Sequence, residues 1–117
     1  MPRPRLCRKV GYSPEITYFK PRGVPVSRLE ESILSIDEFE AVRLKDLEGF
    51  EQEECAKKMD ISQPTFHRLV LSARKKIADS IINGKALKIE GGNFRITGNL
   101  GGFRHRRRQH PDISSKE

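Results

Sequence analysis

One segment, residues 51–77, constrains the fold more than the rest of the chain. It reads EQEECAKKMDISQPTFHRLVLSARKKI, and apolar residues recur every three to four positions on both sides of Asp60. That spacing predicts two amphipathic helices. The acids of the first turn suit the positive end of a helix dipole. Ser62 can cap the second helix and Pro64 is tolerated in its first turn, so the segment predicts helix, turn and helix.

The turn between these helices depends on a few positions. Helix-turn-helix sequences usually have Gly at the position of Asp60, because the backbone there is left-handed. Asp adopts that conformation at a higher cost. Ala56 is small enough to let the two helices cross closely, and Ile61 is expected to pack under the turn. With Cys55 and Met59 also facing inward, the pattern is that of a helix-turn-helix packed through apolar faces.

The second helix, predicted over residues 63–82, has two faces. At 100° per residue one face is apolar and is expected to be core: Phe66, Leu69, Val70, Ala73, Ile77 and Ile81. Gln63 and Arg68 outside it suit bidentate contacts with adenine and guanine, whereas Lys75 and Lys76 suit phosphates. The full set of candidate nucleic-acid contacts is Gln52, Ser62, Gln63, Pro64, Thr65, His67, Arg68, Leu71, Ser72, Lys75 and Lys76.

The chain before this segment predicts two strands and another helix. β-Branched and aromatic residues at 16–19, followed by Pro and Gly, indicate a short strand and then a turn. Residues 32–34 are a second extended candidate. Ser35 and Glu38 have the spacing of a capping box, so a helix is expected to start there and to run to about residue 47.

Two alternating apolar pieces surround a Gly-Gly pair in residues 86–96. One interpretation is a β-hairpin that acts as a wing and touches nucleic acid through Lys88 and Arg95. The alternative is that its apolar residues cover the helices or pair with the strand at 16–19. We favour the alternative, because an amphipathic hairpin needs a core more than it needs a nucleic-acid partner.

Charge is distributed unevenly along the chain. Residues 1–29 hold seven Lys and Arg against one acid, residues 30–60 hold four against eleven, and residues 61–117 hold twelve against four. The net charge of +7 suits an anionic partner, since basic side chains that neutralise phosphates gain affinity by releasing counterions. A solvated basic surface without such a partner is the plain alternative.

These patterns divide the chain into three parts. Residues 1–15 are expected to form a basic Pro- and Arg-rich arm, residues 16–97 the helix-turn-helix domain, and residues 98–117 a flexible basic tail. The two ends are expected to add auxiliary phosphate or minor-groove contacts through Arg3, Arg5, Arg8, Lys9, Arg106, Arg107 and Arg108.

Several classes of site and function have no sequence signal. Cys7 and Cys55 lie far apart, so neither a disulfide framework nor a zinc site is indicated. His67 has no ligand companions at suitable spacing, and no metal or cofactor is expected. Without a nucleophile and base pair, a P-loop or a nucleotide loop, we expect no enzyme and no small-molecule substrate. No apolar run approaches membrane-spanning length, which predicts a cytoplasmic protein without a membrane partner.

Short motifs are spread over residues 1–92. They are MPRPRLCRKV (1–10), YFKP (18–21) with GVP (23–25), DEFEAVRL (37–44), QEECA (52–56), SQPTF (62–66), ARKKIA (73–78), GKAL (84–87) and IEGG (89–92). With these motifs the chain resembles uncharacterised protein family 0251, also called domain of unknown function 134. The resemblance implies a DNA-binding protein with a helix-turn-helix similar to region 4 of sigma-like factors. The expected fold is therefore mainly α, of winged-helix or sigma-region-4-like type, with short β-strands or a hairpin and flexible basic termini.

The function expected from these observations is a transcriptional regulator that binds double-stranded DNA and reads the major groove with helix 63–82. A homodimer is expected, because one helix in one groove reads too few base pairs for useful discrimination. The alternative is an RNA-binding or transcription-machinery interaction module without sequence-specific DNA readout, in which the acidic residues 30–60 contact a basic protein. RNA is disfavoured because Tyr18, Phe19, Phe94 and Phe103 do not form an RNA-recognition motif.

Overall fold

Three helices and five short strands make up most of this computed structural model, which describes residues 7–97. A 3-10 turn (Val26–Arg28) precedes the third strand, and a π-helical turn (Arg43–Leu47) extends the first helix. The expected small domain of helices with short strands is confirmed, and roughly half of it is helical. In chain order the elements are β1 (Arg8–Val10), β2 (Tyr18–Phe19), β3 (Glu31–Leu34), α1 (Ile36–Val42), α2 (Gln52–Met59), α3 (Gln63–Asn83), β4 (Ala86–Ile89) and β5 (Phe94–Ile96).

Helix α1 begins with the capping box that the sequence predicts. The Ser35 hydroxyl accepts a hydrogen bond from the Glu38 backbone N–H at 3.3 Å, and the Glu38 carboxylate accepts one from the Ser35 N–H at 2.9 Å. Two backbone donors that the first helical turn leaves without intrahelical partners are thereby satisfied. This reciprocal pair fixes where the chain leaves β3 and starts the helix.

The turn between α2 and α3 has the predicted left-handed residue. Asp60 ends α2 with φ 62° and ψ 46°, and its N–H donates to the Lys57 carbonyl at 3.1 Å. Ile61 follows, with its N–H donating to the Ala56 carbonyl at 3.0 Å. The Ser62 hydroxyl then accepts from the Thr65 N–H at 3.3 Å and caps α3. Left-handed backbone at one residue thus lets only three residues separate the end of α2 from the start of α3.

The strands form two small sheets rather than a hairpin. β4 is the middle strand of a three-stranded sheet, antiparallel to β2 and parallel to β3, and β5 pairs with β1 in parallel. The interpretation of residues 86–96 as a hairpin is therefore wrong, and the favoured pairing with the strand at 16–19 is confirmed. The left-handed Gly91 and Gly92 carry the chain from one sheet to the other instead of closing a turn between partners.

The strand β1 falls inside the stretch expected to be an arm. Residues 8–10 pair with β5, and the Val10 side chain is completely buried. Residues 8–10 of the expected arm are therefore a paired strand. The expectation missed this because the partner strand, β5, lies almost at the other end of the described chain. Residues 1–6 and 98–117 lie outside the described residues.

The core has two apolar clusters that share α3. One cluster holds α2 against the π-helical turn and the first half of α3: Ala41, Leu44, Cys55, Ala56, Met59, Phe66 and Val70. The other lies between the sheets, α1 and the middle of α3: Val10, Leu34, Ile36, Ala73 and Ile89. Ile81 was expected on this core face, but it is 73% exposed. Among residues 7–97, no helix is long and apolar enough to cross a membrane.

Replacing Asp60 with Gly is expected to stabilise the protein. Glycine adopts the left-handed conformation without a Cβ penalty, and the change also removes a negative charge from the C-terminal end of α2, where the helix dipole disfavours it. We expect the free energy of unfolding to rise by about 0.5 to 1 kcal/mol, measured by urea denaturation. Asp60→Ala is the control and should destabilise; a gain for both variants would contradict the explanation.

Replacing Gly92 with Ala is expected to destabilise the protein strongly. Gly92 has φ +105°, and a Cβ there would lie 2.5 Å from a carboxylate oxygen of Asp37 and 2.8 Å from Cβ of Ser35. Gly91 is the matched control, since it has φ +77° but nothing within 4 Å of an added Cβ. By thermal unfolding, Gly91→Ala should cost about 1 kcal/mol and Gly92→Ala at least about 2 kcal/mol. Equal costs would show that the contact with α1 is unimportant.

Candidate nucleic-acid interface

The first half of α3 presents a polar outer face opposite its buried face. Phe66, Val70 and Ala73 are buried, at most 3% exposed. Leu71 lies on the opposite side and is 46% exposed. The other exposed residues of this outer face are Gln63, Pro64, His67, Arg68, Arg74 and Lys75, and Thr65 is half-buried at its edge. The structure therefore brings most of the predicted contacts on α3 together on one accessible surface.

A small hydrogen-bond network orders the start of α3. The Thr65 hydroxyl oxygen accepts from the Ser62 hydroxyl at 2.9 Å and from the Arg68 guanidinium at 3.3 Å. Arg68 is thereby turned towards the N-terminus of its own helix. In helix-turn-helix proteins, residues near this end of the second helix reach base edges. The network thus holds the Arg68 guanidinium near the N-terminal end of α3.

Not every cation near this face is available to an anionic partner. Arg74 donates to both carboxylate oxygens of Asp46 in the π-helical turn, at 3.1 and 2.7 Å. The same hydrogen bonds raise the pKa of Arg74 and lower the pKa of Asp46. Bidentate pairs of this kind are well directed. The Arg74 pair ties α3 to the π-helical turn, which leaves Arg68 and Lys75 as the exposed cations on the outer face that this pair does not engage.

Ser72 and Lys76 are turned towards α1, which corrects their placement on the outer face. The Ser72 hydroxyl donates to Glu38 at 2.6 Å, and the Lys76 ammonium reaches the two oxygens of that carboxylate at 2.8 and 3.0 Å. Glu38 is only 5% exposed. A buried carboxylate needs such partners, and the expectation missed them because they lie 34 and 38 residues away in the chain.

The remaining predicted contacts are scattered. Gln52 is the half-buried first residue of α2 and is therefore not part of α3. Arg8 lies in β1, where its guanidinium is 3.4 Å from Asp37, and Lys9 is next to it in the strand. The arm and tail residues Arg3, Arg5 and Arg106 to Arg108 lie outside the described residues. Among residues 7–97, no three His, Cys, Asp or Glu side chains are grouped so as to hold a metal ion.

Two lysines at the end of α2 were not among the predicted contacts. Lys57 and Lys58 are exposed in the last turn, and the Lys58 ammonium lies 4.7 Å from the centre of the Phe50 ring. They precede the turn to α3 by only a few residues. The adjacent Lys57 and Lys58 at the end of α2 were the sequence signal that could have added these lysines to the candidate contacts.

Glu38→Gln is expected to lower stability in a pH-dependent way. Burial raises the pKa of Glu38, but hydrogen bonds from Lys76, Ser72 and Ser35 outweigh burial and hold the pKa below its ordinary value of 4.5. Stability from a lowered carboxylate pKa is present above the unfolded value and is lost as pH falls through the folded value. The variant should therefore cost about 1 to 3 kcal/mol at neutral pH and progressively less below about pH 4.5.

Urea denaturation at about pH 7, 4 and 3 measures this difference between the parent and the variant. Glu53→Gln is the matched control, because Glu53 is an exposed carboxylate in the first turn of α2. Its effect should stay within about 0.5 kcal/mol at each pH. A cost for Glu38→Gln that is the same at all three pH values would mean that the charge of the carboxylate is not what stabilises the junction.

The family described as "Protein of unknown function DUF134" matches residues 1–97. A UPF0251 protein of Caldanaerobacter subterraneus subsp. tengcongensis is 57% identical over 110 residues, 91% of this chain and 93% of that protein. A UPF0251 protein of Thermoanaerobacter pseudethanolicus is 59% identical over 96 residues, 82% of this chain and 81% of that protein. No solved structure matches the chain. The chain therefore belongs to the DUF134 family, whose relatives carry the family name UPF0251.

Proposed function

We propose that this protein binds double-stranded DNA through the α2–turn–α3 unit and acts as a transcriptional regulator. The observation that supports this most directly is the division of α3 into a buried apolar face and an exposed face that carries Gln63, Arg68 and Lys75. Under the proposal the unit is a helix-turn-helix of winged-helix or sigma-region-4-like type, and α3 is the recognition helix. Its second half, after Lys75, extends away from the bases.

The dimensions of the exposed face suit the major groove. From Gln63 to Lys75 the helix rises by about 18 Å, at 1.5 Å per residue. A helix fits in the major groove, which is about 12 Å wide, with three or four side chains in reach of base edges. Arg68 and Gln63 have the donors for bidentate contacts, and the exposed Leu71 can pack against a thymine methyl group. The proposal therefore assigns base readout to the first three turns of α3.

Charge along α2 suggests how the unit approaches the phosphates. The first turn of α2 contains Glu53 and Glu54, whereas its last turn contains Lys57 and Lys58. Carboxylates are repelled by the DNA backbone and lysines are attracted to it. The favoured orientation therefore brings the C-terminal end of α2 and Lys75 towards the phosphates. In this orientation the lysines fix the position of the protein and the start of α3 reads the sequence.

A homodimer is part of the proposal. One recognition helix covers only a few base pairs, so two copies on half-sites about one or two helical turns apart would supply the remaining discrimination. Selection of bound fragments from random duplex DNA at two salt concentrations tests both DNA binding and the dimer. Two spaced half-sites in the selected motif support the dimer, a single half-site argues against it, and preferential binding of single-stranded RNA at matched salt would support the RNA-binding alternative instead.

Arg68→Ala and Lys75→Ala are expected to affect DNA binding differently. Loss of Arg68 should cost about 1 to 3 kcal/mol on the selected sequence and relax the preference at one base position. Loss of Lys75 should weaken binding to all sequences alike and reduce the salt slope by about one. Fluorescence anisotropy on selected and scrambled duplexes measures both. Arg22→Ala is the control, since Arg22 is an exposed loop arginine; equal losses on both duplexes for Arg68→Ala would remove it from base readout.

A further inference from the structure

A cavity of about 310 Å³ opens between α1, its π-helical turn, α3 and the three-stranded sheet. Nine of its eleven lining residues are apolar or aromatic, and the charged ones are Arg43 and Glu48. A volume of this size is at the lower end of the range found for small-molecule sites, which are mostly apolar with few polar groups. The cavity is separate from the outer face of α3, because α3 contributes the inward-facing Ile77 to it.

One wall of the cavity is suited to a flat molecule. The rings of Tyr12 and Phe39 stack with their centres 6.2 Å apart and their planes 20° apart. The Arg43 guanidinium lies 5.5 Å from the centre of the Tyr12 ring, within the range of a cation–π contact. Both rings also line the cavity. Aromatic rings favour offset stacking or edge contacts with other rings, so this wall offers a planar apolar molecule a matching surface.

The charges beside the cavity disfavour an anionic ligand. The Arg43 guanidinium donates to both oxygens of the buried Glu40 at 2.8 and 2.9 Å, and to Glu48 at 3.3 Å. One positive charge thus faces two negative charges, and the three groups together carry a net charge of −1. A carboxylate or phosphate placed here would have to displace one of these acids and lose its own hydration. These charges therefore argue against an anionic ligand, and the apolar lining, in which any charged group would lose its hydration, favours an uncharged one.

The mouth of the cavity exposes apolar surface that a ligand would cover. Leu47 is 76% exposed and Phe19 is 52% exposed, and both line the cavity. Leu47 lies in the π-helical turn, and turns of this kind are rare and occur frequently at functional sites. A flat molecule between Leu47, Phe19 and the Tyr12–Phe39 wall would remove this apolar surface from water.

We propose that the cavity is a binding site for a small, planar, uncharged aromatic molecule. The ligand enters past Leu47 and Phe19 and lies against the stacked rings of Tyr12 and Phe39. It also touches Ile77, so the ligand contacts α3 on the side opposite to the candidate nucleic-acid interface. The proposal concerns binding of the small molecule alone and does not depend on DNA binding.

Titration of the full chain with N-phenyl-1-naphthylamine, an uncharged dye that fluoresces in apolar sites, tests the proposal. We expect saturable fluorescence with one dye per chain. Leu47→Asn alters the mouth and Val42→Phe fills the interior, and each should weaken the dye about fivefold or more. Ile82→Asn is the matched control, because Ile82 is a 78% exposed aliphatic residue on α3 outside the cavity. Circular dichroism melts identify any variant that has lost its fold, in which case the other variant carries the test.

Competition between the dye and other molecules distinguishes a preference for uncharged ligands from general apolar binding. 1-Naphthol, which is uncharged at neutral pH, should displace the dye, and naphthalene-1-sulfonate should do so at least about tenfold less effectively. Absence of saturable binding, equal binding by Leu47→Asn and Ile82→Asn, or equal displacement by the two competitors would each overturn the proposal. A dimer that Leu47→Asn dissociates in analytical ultracentrifugation, without dye binding, would assign the surface to a second copy of the chain.

Discussion

The arrangement of the helices depends on the hydrogen bonds that the Glu38 carboxylate accepts. It closes the capping box at the start of α1 and also accepts hydrogen bonds from Ser72 and Lys76 on α3. One buried group thus sets both where α1 begins and how α3 lies against it. Removing one partner would leave a buried charge without compensation, so these hydrogen bonds hold α3 against the start of α1.

Helix α3 serves two surfaces that face in different directions. Its first turns present Gln63, Arg68 and Lys75 outward, while Ile77 contributes to the apolar cavity on the inner side. Arg74 connects α3 to the π-helical turn by pairing with Asp46. This turn also forms part of the cavity wall. The cavity wall and the outer face are therefore connected through side chains that touch α3 directly.

Local rules made much of the fold predictable, and distant contacts made the rest unpredictable. The cap at Ser35 and the left-handed Asp60 follow from short-range backbone chemistry, and both were correct. Strand partners were predicted only in part: the pairing of β4 with the strand at 16–19 was correct, but β5 is a neighbour of β4 in sequence and belongs to a different sheet. Periodicity placed Ile81 on the apolar face of α3, but periodicity does not show whether another element covers that position. The inward turn of Lys76 required knowledge of Glu38, far away in the chain.

The parallel pairing of β1 with β5 has a consequence for how the protein is made. Val10 is fully buried, but the partner of its strand is the last described element of the chain. Because synthesis proceeds from the N-terminus, β1 leaves the ribosome with an unpaired edge and an apolar side chain that the finished fold covers. Contacts between such distant residues form slowly, since a long loop must close first. β1 can therefore pair with β5 only after residue 96 has been synthesised.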